Sequence, residues 1–210
     1  MNCEFDTTNY EIDNVKNIYN IIANEFNVTR TYHWSWIKEY IYSNKKNALI
    51  YDIGCGNGRN MKHDDFQFIG IDNCEKFVEM CNKQNMKTLY GEMTNIPLES
   101  NTANMVMCIA SFHHLANNEN RMKALLEMKR LIKDDGKILI SVWSIEQPAK
   151  TRVTFDKYGD NIVYWKNKYP RYYYIFDLNE IINLFAKAGL ILIEKKYDCG
   201  NEIFLLKKSI

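Results

Sequence analysis

Strand-like and helix-like patterns alternate along most of this chain, and that alternation predicts an α/β fold on a largely parallel sheet. Two further observations sharpen the prediction. A glycine-rich turn closes the first apolar run, and the last two runs flank a short turn in hairpin fashion. With 210 residues the chain amounts to about one domain. That is long enough to bury a core without covalent staples.

Residues 11–26 place Val15, Ile18, Tyr19, Ile22 and Phe26 on one helical face, and residues 31–42 put Trp34, Ile37 and Ile41 in helical register. This helical pair, within residues 1–45, is expected to cover one side of the domain. The pattern then changes. Residues 48–53 form a short apolar run, and residues 67–71 form another, closed by Asp72. Helical spacing returns over 74–84. Residues 86–90 read as a short strand and 103–110 as a longer one. An amphipathic helix over 118–133 carries Met122, Leu125, Leu126, Met128 and Ile132 and is stopped by Asp134, Asp135 and Gly136. Residues 137–143 read as a strand. Together, residues 46–147 form the half that carries the glycine turn. Residues 148–170 have no clean period and read as an insert. In the C-terminal part, 171–210, a helix over 177–188 ends at Gly189. Strands over 190–197 and 202–207 then flank a turn made by Asp198, Cys199, Gly200 and Asn201.

Composition removes several classes. Lys and Arg number 27 against 26 Asp and Glu, a net charge of +1, which excludes a protein held to nucleic acid by bulk charge alone. A local patch survives that test. Lys150, Arg152, Lys157, Lys166, Lys168 and Arg171 stand against Asp156 and Asp160, interleaved with Phe155, Tyr158, Tyr164, Trp165 and Tyr169. Basic plus aromatic is the composition of a single-strand nucleic-acid surface, although a solvated loop is also basic. No stretch approaches the roughly 20 apolar residues of a membrane span. The first residues carry Glu4, Asp6, Glu11 and Asp13 without a base, unlike a secretory leader. A cytoplasmic chain is expected, with the nucleus left open. Cys3, Cys55, Cys74, Cys81, Cys108 and Cys199 make no C-x-x-C pair, so free, mostly buried thiols and no metal site are expected.

The segment Tyr51-Asp52-Ile53-Gly54-Cys55-Gly56-Asn57-Gly58 carries the most chemistry. Its glycines let the backbone turn tightly and approach a ligand. It differs from the dinucleotide fingerprint G-x-G-x-x-G, which is shaped for a pyrophosphate. An acid two residues before the first glycine suits a ligand with a cationic end. Asp72 closes the second run, where it can accept from two ribose hydroxyls or simply cap a helix. Glu92 follows the third run, where it can receive an adenine amino group. Cys108 to His114 follow the fourth. All four segments map to the carboxyl ends of strands, where open α/β sheets bind ligands.

These segments resemble the class I S-adenosylmethionine-dependent methyltransferases, from about residue 10 to the C-terminus. The resemblance implies a Rossmann-like, seven-stranded, mostly parallel sheet of order 3-2-1-4-5-7-6 with strand 7 antiparallel. It also implies S-adenosylmethionine as cofactor, held by Asp52, Gly54, Cys55, Gly56, Asn57, Asp72, Asn73, Glu92, Met93 and Ile109. Other passages are similar to one family, the eukaryotic tRNA wobble-uridine methyltransferases that esterify 5-carboxymethyluridine. They are Phe26 to Arg30 with Trp34; Ile109 to His114 with Glu119, Asn120 and Arg121; Ser141 to Gln147; Arg171, Tyr172 and Tyr173; and Tyr197 to Asn201. Tyr174 stands where that family usually has His, Glu202 where it has an aromatic, Asn104 where it has Asp, and Ser35 where it has Pro. The family also often has a longer insertion before Arg171. The resemblance implies two partners: a tRNA anticodon loop, and a small zinc-binding activator subunit that adds to the edge strand at 86–90.

A carboxylate acceptor has a pKa of about 4 and is ionised at neutral pH, so its methylation needs alignment and desolvation but no base. Arg30 and Arg171 are candidate clamps for it. With a hydroxyl or amine acceptor, His113 or His114 would have to serve as base; His114 is the better pocket candidate. Trp34, Trp143, Tyr172 and Tyr173 can stack on an extruded base. Trp143 can equally be core, Trp36 reads as core, and Asn201 either turns the hairpin or reaches substrate. A methyltransferase for a small metabolite and a non-catalytic scaffold for RNA modification are the alternative functions.

Overall fold

The computed structural model describes residues 7–32, 34–149, 151 and 153–209. Helix α1 (Thr7–Glu11) runs through a π-helical turn, Ile12–Lys16, into α2 (Asn17–Thr29), followed by α3 (Ser35–Tyr42). The alternating part comprises β1 (Leu49–Ile53), β2 (Gln67–Asp72), α4 (Glu75–Lys83), β3 (Thr88–Tyr90), β4 (Ala103–Ile109), α5 (Asn118–Leu131) and β5 (Ile132–Trp143). A hairpin of β6 (Gly159–Trp165) and β7 (Tyr169–Ile175) leads to α6 (Leu178–Lys187), β8 (Leu190–Asp198) and β9 (Asn201–Lys208).

The main sheet has the order β3-β2-β1-β4-β5-β9-β8. Neighbours from β3 to β5 pair in parallel, and β9 runs antiparallel to both β5 and β8. Counted within this sheet, that is the expected 3-2-1-4-5-7-6 with its last strand reversed. Both faces are covered, because successive side chains of a strand point to opposite sides. Met105, Met107 and Ile109 of β4 pack with Ile37, Tyr40 and Ile41 of α3. Val106 and Cys108 share the opposite core with Leu125 and Met128 of α5 and Ile181 and Phe185 of α6.

Two sequence expectations change. Residues 148–170 are not a structureless insert: β6 pairs antiparallel with β7 from Gly159↔Ile175 to Trp165↔Tyr169, and the expected boundary at 170/171 falls inside β7. The hairpin escaped notice because its turn uses Lys166 and Asn167, at φ 51° and 57°, in place of the Asn-Gly that usually marks such turns. Its tip docks on α2, with Lys166 Nζ 2.8 Å from Glu25 and the Trp165 ring 5.5 Å from Phe26. Second, α5 ends at Leu131, because Ile132 already pairs with Ala103 as the first residue of β5. Cys55, Cys74, Cys81 and Cys108 are buried free thiols, and Cys199 is an exposed one. Cys3, Lys150 and Arg152 lie outside the described residues.

Helix α6 starts where the Asp177 side chain accepts from the N–H groups of Asn179 and Glu180. Replacing such a cap by Ala costs about 1 kcal/mol. Asp177→Ala is therefore expected to lower the urea midpoint by that amount of stability while leaving the slope of the transition unchanged.

Candidate active site

The glycine turn after β1 is held by backbone geometry and one carboxylate. Gly54, Gly56 and Gly58 all take left-handed φ, between 55° and 72°, which side chains resist. A Cβ on Gly54 would fall 1.9 Å from Ser111 Oγ, whereas one on Gly56 would meet no protein atom within 4 Å. The turn is thus pressed against the end of β4 at one glycine and left open to a ligand at another. Asp72, at the end of β2, locks it: Oδ2 accepts from Gly56 N–H at 2.7 Å and Oδ1 from Cys74 N–H at 2.8 Å. Each oxygen keeps a further lone pair. Burial lifts the Asp72 carboxyl to about 6, opposed by these two amides.

The carboxyl ends of β1–β5 open into one cavity of about 910 Å³, at the upper end of the range for small-molecule sites. Of the sequence-predicted cofactor residues, Gly54, Cys55, Gly56, Asn57, Asp72, Asn73, Glu92, Met93 and Ile109 line it. Asn73 Nδ2 donates to Glu92 Oε2 at 2.9 Å, and Asn57 Nδ2 donates to Asn27 Oδ1 and to the Arg30 carbonyl, tying α2 to the glycine turn. Asp52 is the exception. Its side chain is buried without lining the cavity, and neither of its oxygens has a hydrogen-bond partner. Burial, reinforced by Asp72, raises it to about 7.

Arg30, His114, Arg171, Trp34, Trp143, Tyr173 and Asn201 line the same cavity. Tyr172 does not. Side chains alternate along β7, so Arg171 and Tyr173 face the cavity while Tyr172 turns away. Tyr172 is buried with its hydroxyl donating to Asp160 Oδ1 at 2.6 Å and its ring edge-on to Tyr10. The Arg-Tyr-Tyr passage therefore contributes two residues to the site, not three. Trp143 packs in the hairpin core, stacked on Tyr173 at 4.6 Å and against Phe155, and still lines the cavity. Trp36 packs with the α3 core. The Asn201 amide donates to the Asp198 and Cys199 carbonyls and turns the hairpin.

The sequence reading missed Tyr19 and Arg59. Tyr19 looked like one more apolar residue on a helical face, and Arg59 merely followed the glycines. Tyr19 joins a directed chain of hydrogen bonds. The Tyr172 carbonyl can only accept, so His114 Nδ1 carries the imidazole proton and donates to it at 2.7 Å, and Nε2 accepts from the Tyr19 hydroxyl at 3.0 Å. Arg171 Nη1 donates to Tyr173 Oη at 2.7 Å and to Tyr19 Oη at 3.3 Å. Burial drives His114 down to about 3, and the nearby Arg171 charge acts the same way. His113 is likewise held neutral by burial, with Nδ1 accepting from Trp143 N–H. Both imidazoles are held neutral, and neither titrates near neutral pH.

Arg30, Arg59 and Arg171 all line the cavity. Among the described residues, none of the three lies within ion-pair distance of a carboxylate. Their neighbours are rings: Arg30 lies over Phe26, Arg59 over Trp34, and Arg171 near Tyr19, Trp165 and Tyr173. A cationic, aromatic-walled cavity of this kind accepts anions.

An open sheet of this order, with an acid closing β2, a second acid after β3 and a glycine turn opened toward the cavity, is a class I S-adenosylmethionine-dependent methyltransferase. The residues present fit the cofactor: the space a Cβ would fill at Gly56 is free, and the lone pairs left on Asp72 and Glu92 suit ribose and adenine donors. A family model described as a methyltransferase domain matches residues 51–140. The Mus musculus tRNA (carboxymethyluridine(34)-5-O)-methyltransferase ALKBH8 is 34% identical over 143 residues, 68% of this chain and 22% of the mouse protein. The Schizosaccharomyces pombe tRNA (carboxymethyluridine(34)-5-O)-methyltransferase is 29% identical, covering 95% of this chain and 98% of that protein. The chain therefore spans about a fifth of the mouse relative and nearly all of the fission-yeast one. A solved complex between the Haloferax volcanii Trm112 methyltransferase activator and the putative methyltransferase contains a chain of the same fold, with TM-score 0.73, 15% identity and coverage of 93% and 98%. The chain belongs to the family of the tRNA (carboxymethyluridine) methyltransferases.

Two outcomes test this site. Asp72→Ala is expected to weaken S-adenosylmethionine by about 10-fold or more in calorimetric titration, since charge-assisted hydrogen bonds are worth about 1.5–3 kcal/mol. Asp52 makes a pH-dependent prediction. Its carboxyl is raised to about 7 in the folded chain against about 3.9 unfolded, so between those values the folded state holds the extra proton. Its contribution is therefore intact below about pH 4 and lost as pH rises through about 7. The ligand-free Asp52→Asn protein is expected to match the wild type in thermal unfolding near pH 4 and to exceed it at pH 8.

Proposed function

We propose that this chain transfers a methyl group from S-adenosylmethionine to the carboxylate of 5-carboxymethyluridine at the wobble position of tRNA, giving the methyl ester. One observation carries the reading: among the described residues, three arginines without acidic partners line one cavity, and the histidine that lines it, His114, is held neutral by burial. Bound S-adenosylmethionine supplies an electrophilic methyl on a sulfonium cation. Arg171 and Arg30 hold the acceptor carboxylate, with Arg171 kept in place by the Tyr173 and Tyr19 hydroxyls. Trp143 and Trp34 offer ring faces to the base. The acceptor is already ionised, so no residue removes a proton, and the buried aromatic wall excludes the water that would screen attraction between anion and sulfonium. His114 acts by fixing the Tyr19 hydroxyl.

Two partners follow from the same reading. The β6–β7 hairpin exposes Tyr164 and Lys168, and the residues just before it expose Lys157 and Tyr158, a surface suited to the anticodon loop. Strand β3 is a three-residue sheet edge with exposed Tyr90. An open edge invites strand addition, and a small zinc-binding activator subunit is the occupant we infer. The fold shared with a chain from the Haloferax volcanii complex supports this. A cytoplasmic location belongs to the same proposal.

The test is mass spectrometry of wobble nucleosides after incubating tRNA with the chain, its activator and the methyl donor. Methyl label is expected at the wobble uridine and is expected to be released by mild alkali, as an ester would be; alkali-resistant label would move the assignment to another RNA methylation. Arg171→Ala is expected to lower turnover on tRNA by about 10-fold or more while leaving cofactor affinity close to wild type. With cofactor saturating, the single-turnover rate is expected to stay nearly flat from about pH 6 to 9. A rise centred near the ordinary histidine value of about 6.5 would instead signal a titrating base.

A further inference from the structure

Arg59 has no task in the reaction just described, yet it is placed as a binding group. It stands on the short 3-10 turn Arg59–Met61 directly after Gly58 and is half-buried at the cavity wall. Its guanidinium lies 5.6 Å from the Trp34 ring centroid, and its one hydrogen bond among the described residues is a long one, Nη1 to the Tyr32 carbonyl at 3.4 Å. Most of its donor fork is thus unused. Burial and the neighbouring Arg30 charge lower it to about 10, and only Asp52 opposes them. A cation left so poorly compensated is a seat for an anion.

The sheet decides which anion. Glu92 follows β3 and Asp72 ends β2, so an adenosine laid along the strand ends covers those two. The remainder of the ligand then falls over the glycine turn of β1, where Arg59 begins. That remainder, in S-adenosylmethionine, is a zwitterionic amino-acid head. The guanidinium that follows this turn in the chain is Arg59; its neighbour Arg30 lies toward the hairpin, 5.8 Å from the Trp165 ring. Arg171 sits instead with Tyr173, on the hairpin side. We infer that Arg59 binds the α-carboxylate of S-adenosylmethionine and so separates the cofactor's carboxylate from the acceptor's, which Arg171 takes. This assignment rests on the cofactor class alone and holds whatever the acceptor is. An RNA phosphate is the other anion that could reach a guanidinium, and the test separates the two.

The experiment is calorimetric titration of the wild type, Arg59→Ala and Arg59→Gln with S-adenosylmethionine, its decarboxylated form and 5′-methylthioadenosine, with tRNA binding measured in parallel. The wild type is expected to bind the decarboxylated form about 10- to 100-fold more weakly than S-adenosylmethionine. Both variants are expected to lose a similar factor for S-adenosylmethionine and to bind the decarboxylated form and 5′-methylthioadenosine as the wild type does, with tRNA affinity unchanged. Equal losses for all three ligands would show a merely structural role and overturn the assignment. So would unchanged S-adenosylmethionine affinity, and a loss confined to tRNA would give Arg59 to a phosphate. Because two of the ligands lack the carboxylate, a variant that folds poorly is exposed by its losses on them.

Discussion

Three guanidinium groups facing one cavity, with no acid among the described residues to pair them, is a costly arrangement, and much of this structure makes it tolerable. Each cation is set against aromatic faces, which attract it without neutralising it. Phe26 and Trp34 serve Arg30 and Arg59, and Tyr19, Tyr173 and Trp165 serve Arg171. Those rings come from distant parts of the chain. The N-terminal helices supply Tyr19, Phe26 and Trp34, and the hairpin supplies Trp165, Arg171 and Tyr173. The hairpin tip meets α2 through the Trp165–Phe26 ring contact and the exposed Lys166–Glu25 pair, where the two elements that wall the cationic end come together. The charge that the fold leaves uncompensated is what the proposed reaction between two carboxylate-bearing ligands requires.

The same logic explains why the histidines are silent. His113 and His114 follow β4, where many enzymes of open α/β type would place a base. Here both are buried, each is engaged through Nδ1, and the Arg171 charge works against protonation of either. The proposed methyl transfer to an anion has no proton to remove, and in it such imidazoles serve as neutral, directional hydrogen-bond elements. His114 passes direction from the Tyr172 carbonyl to Tyr19, and Tyr19 shares the Arg171 guanidinium with Tyr173.

The glycine-turn half of the cavity was legible in the sequence because its lining residues are written locally. A glycine turn after an apolar run, Asp72 at a strand end and Glu92 after the next run each lie within a few residues of the backbone they serve. The acceptor half was legible only through resemblance. Arg171 and Tyr173 line the cavity, while Tyr172 between them does not, because β7 alternates its faces; with the strand unrecognised, that alternation could not be applied. The strand was hidden by its turn, where Lys166 and Asn167 adopt left-handed φ without glycine. Tyr19 and Arg59 were hidden for another reason. Their roles depend on which elements meet across the cavity, and nothing in their own neighbourhood differs from a packed helix face or a surface arginine.

The central claim is that the cationic end of the cavity reads a carboxylate. It is tested most directly by comparing two anticodon stem-loops that differ only in the wobble substituent, one carrying 5-carboxymethyluridine and the other its neutral amide, 5-carbamoylmethyluridine. Their affinities would be measured on the chain with its activator and the demethylated cofactor product bound. The account predicts binding about 10- to 100-fold tighter for the carboxylate, with the preference abolished in Arg171→Ala. Equal affinity for the two loops would contradict it.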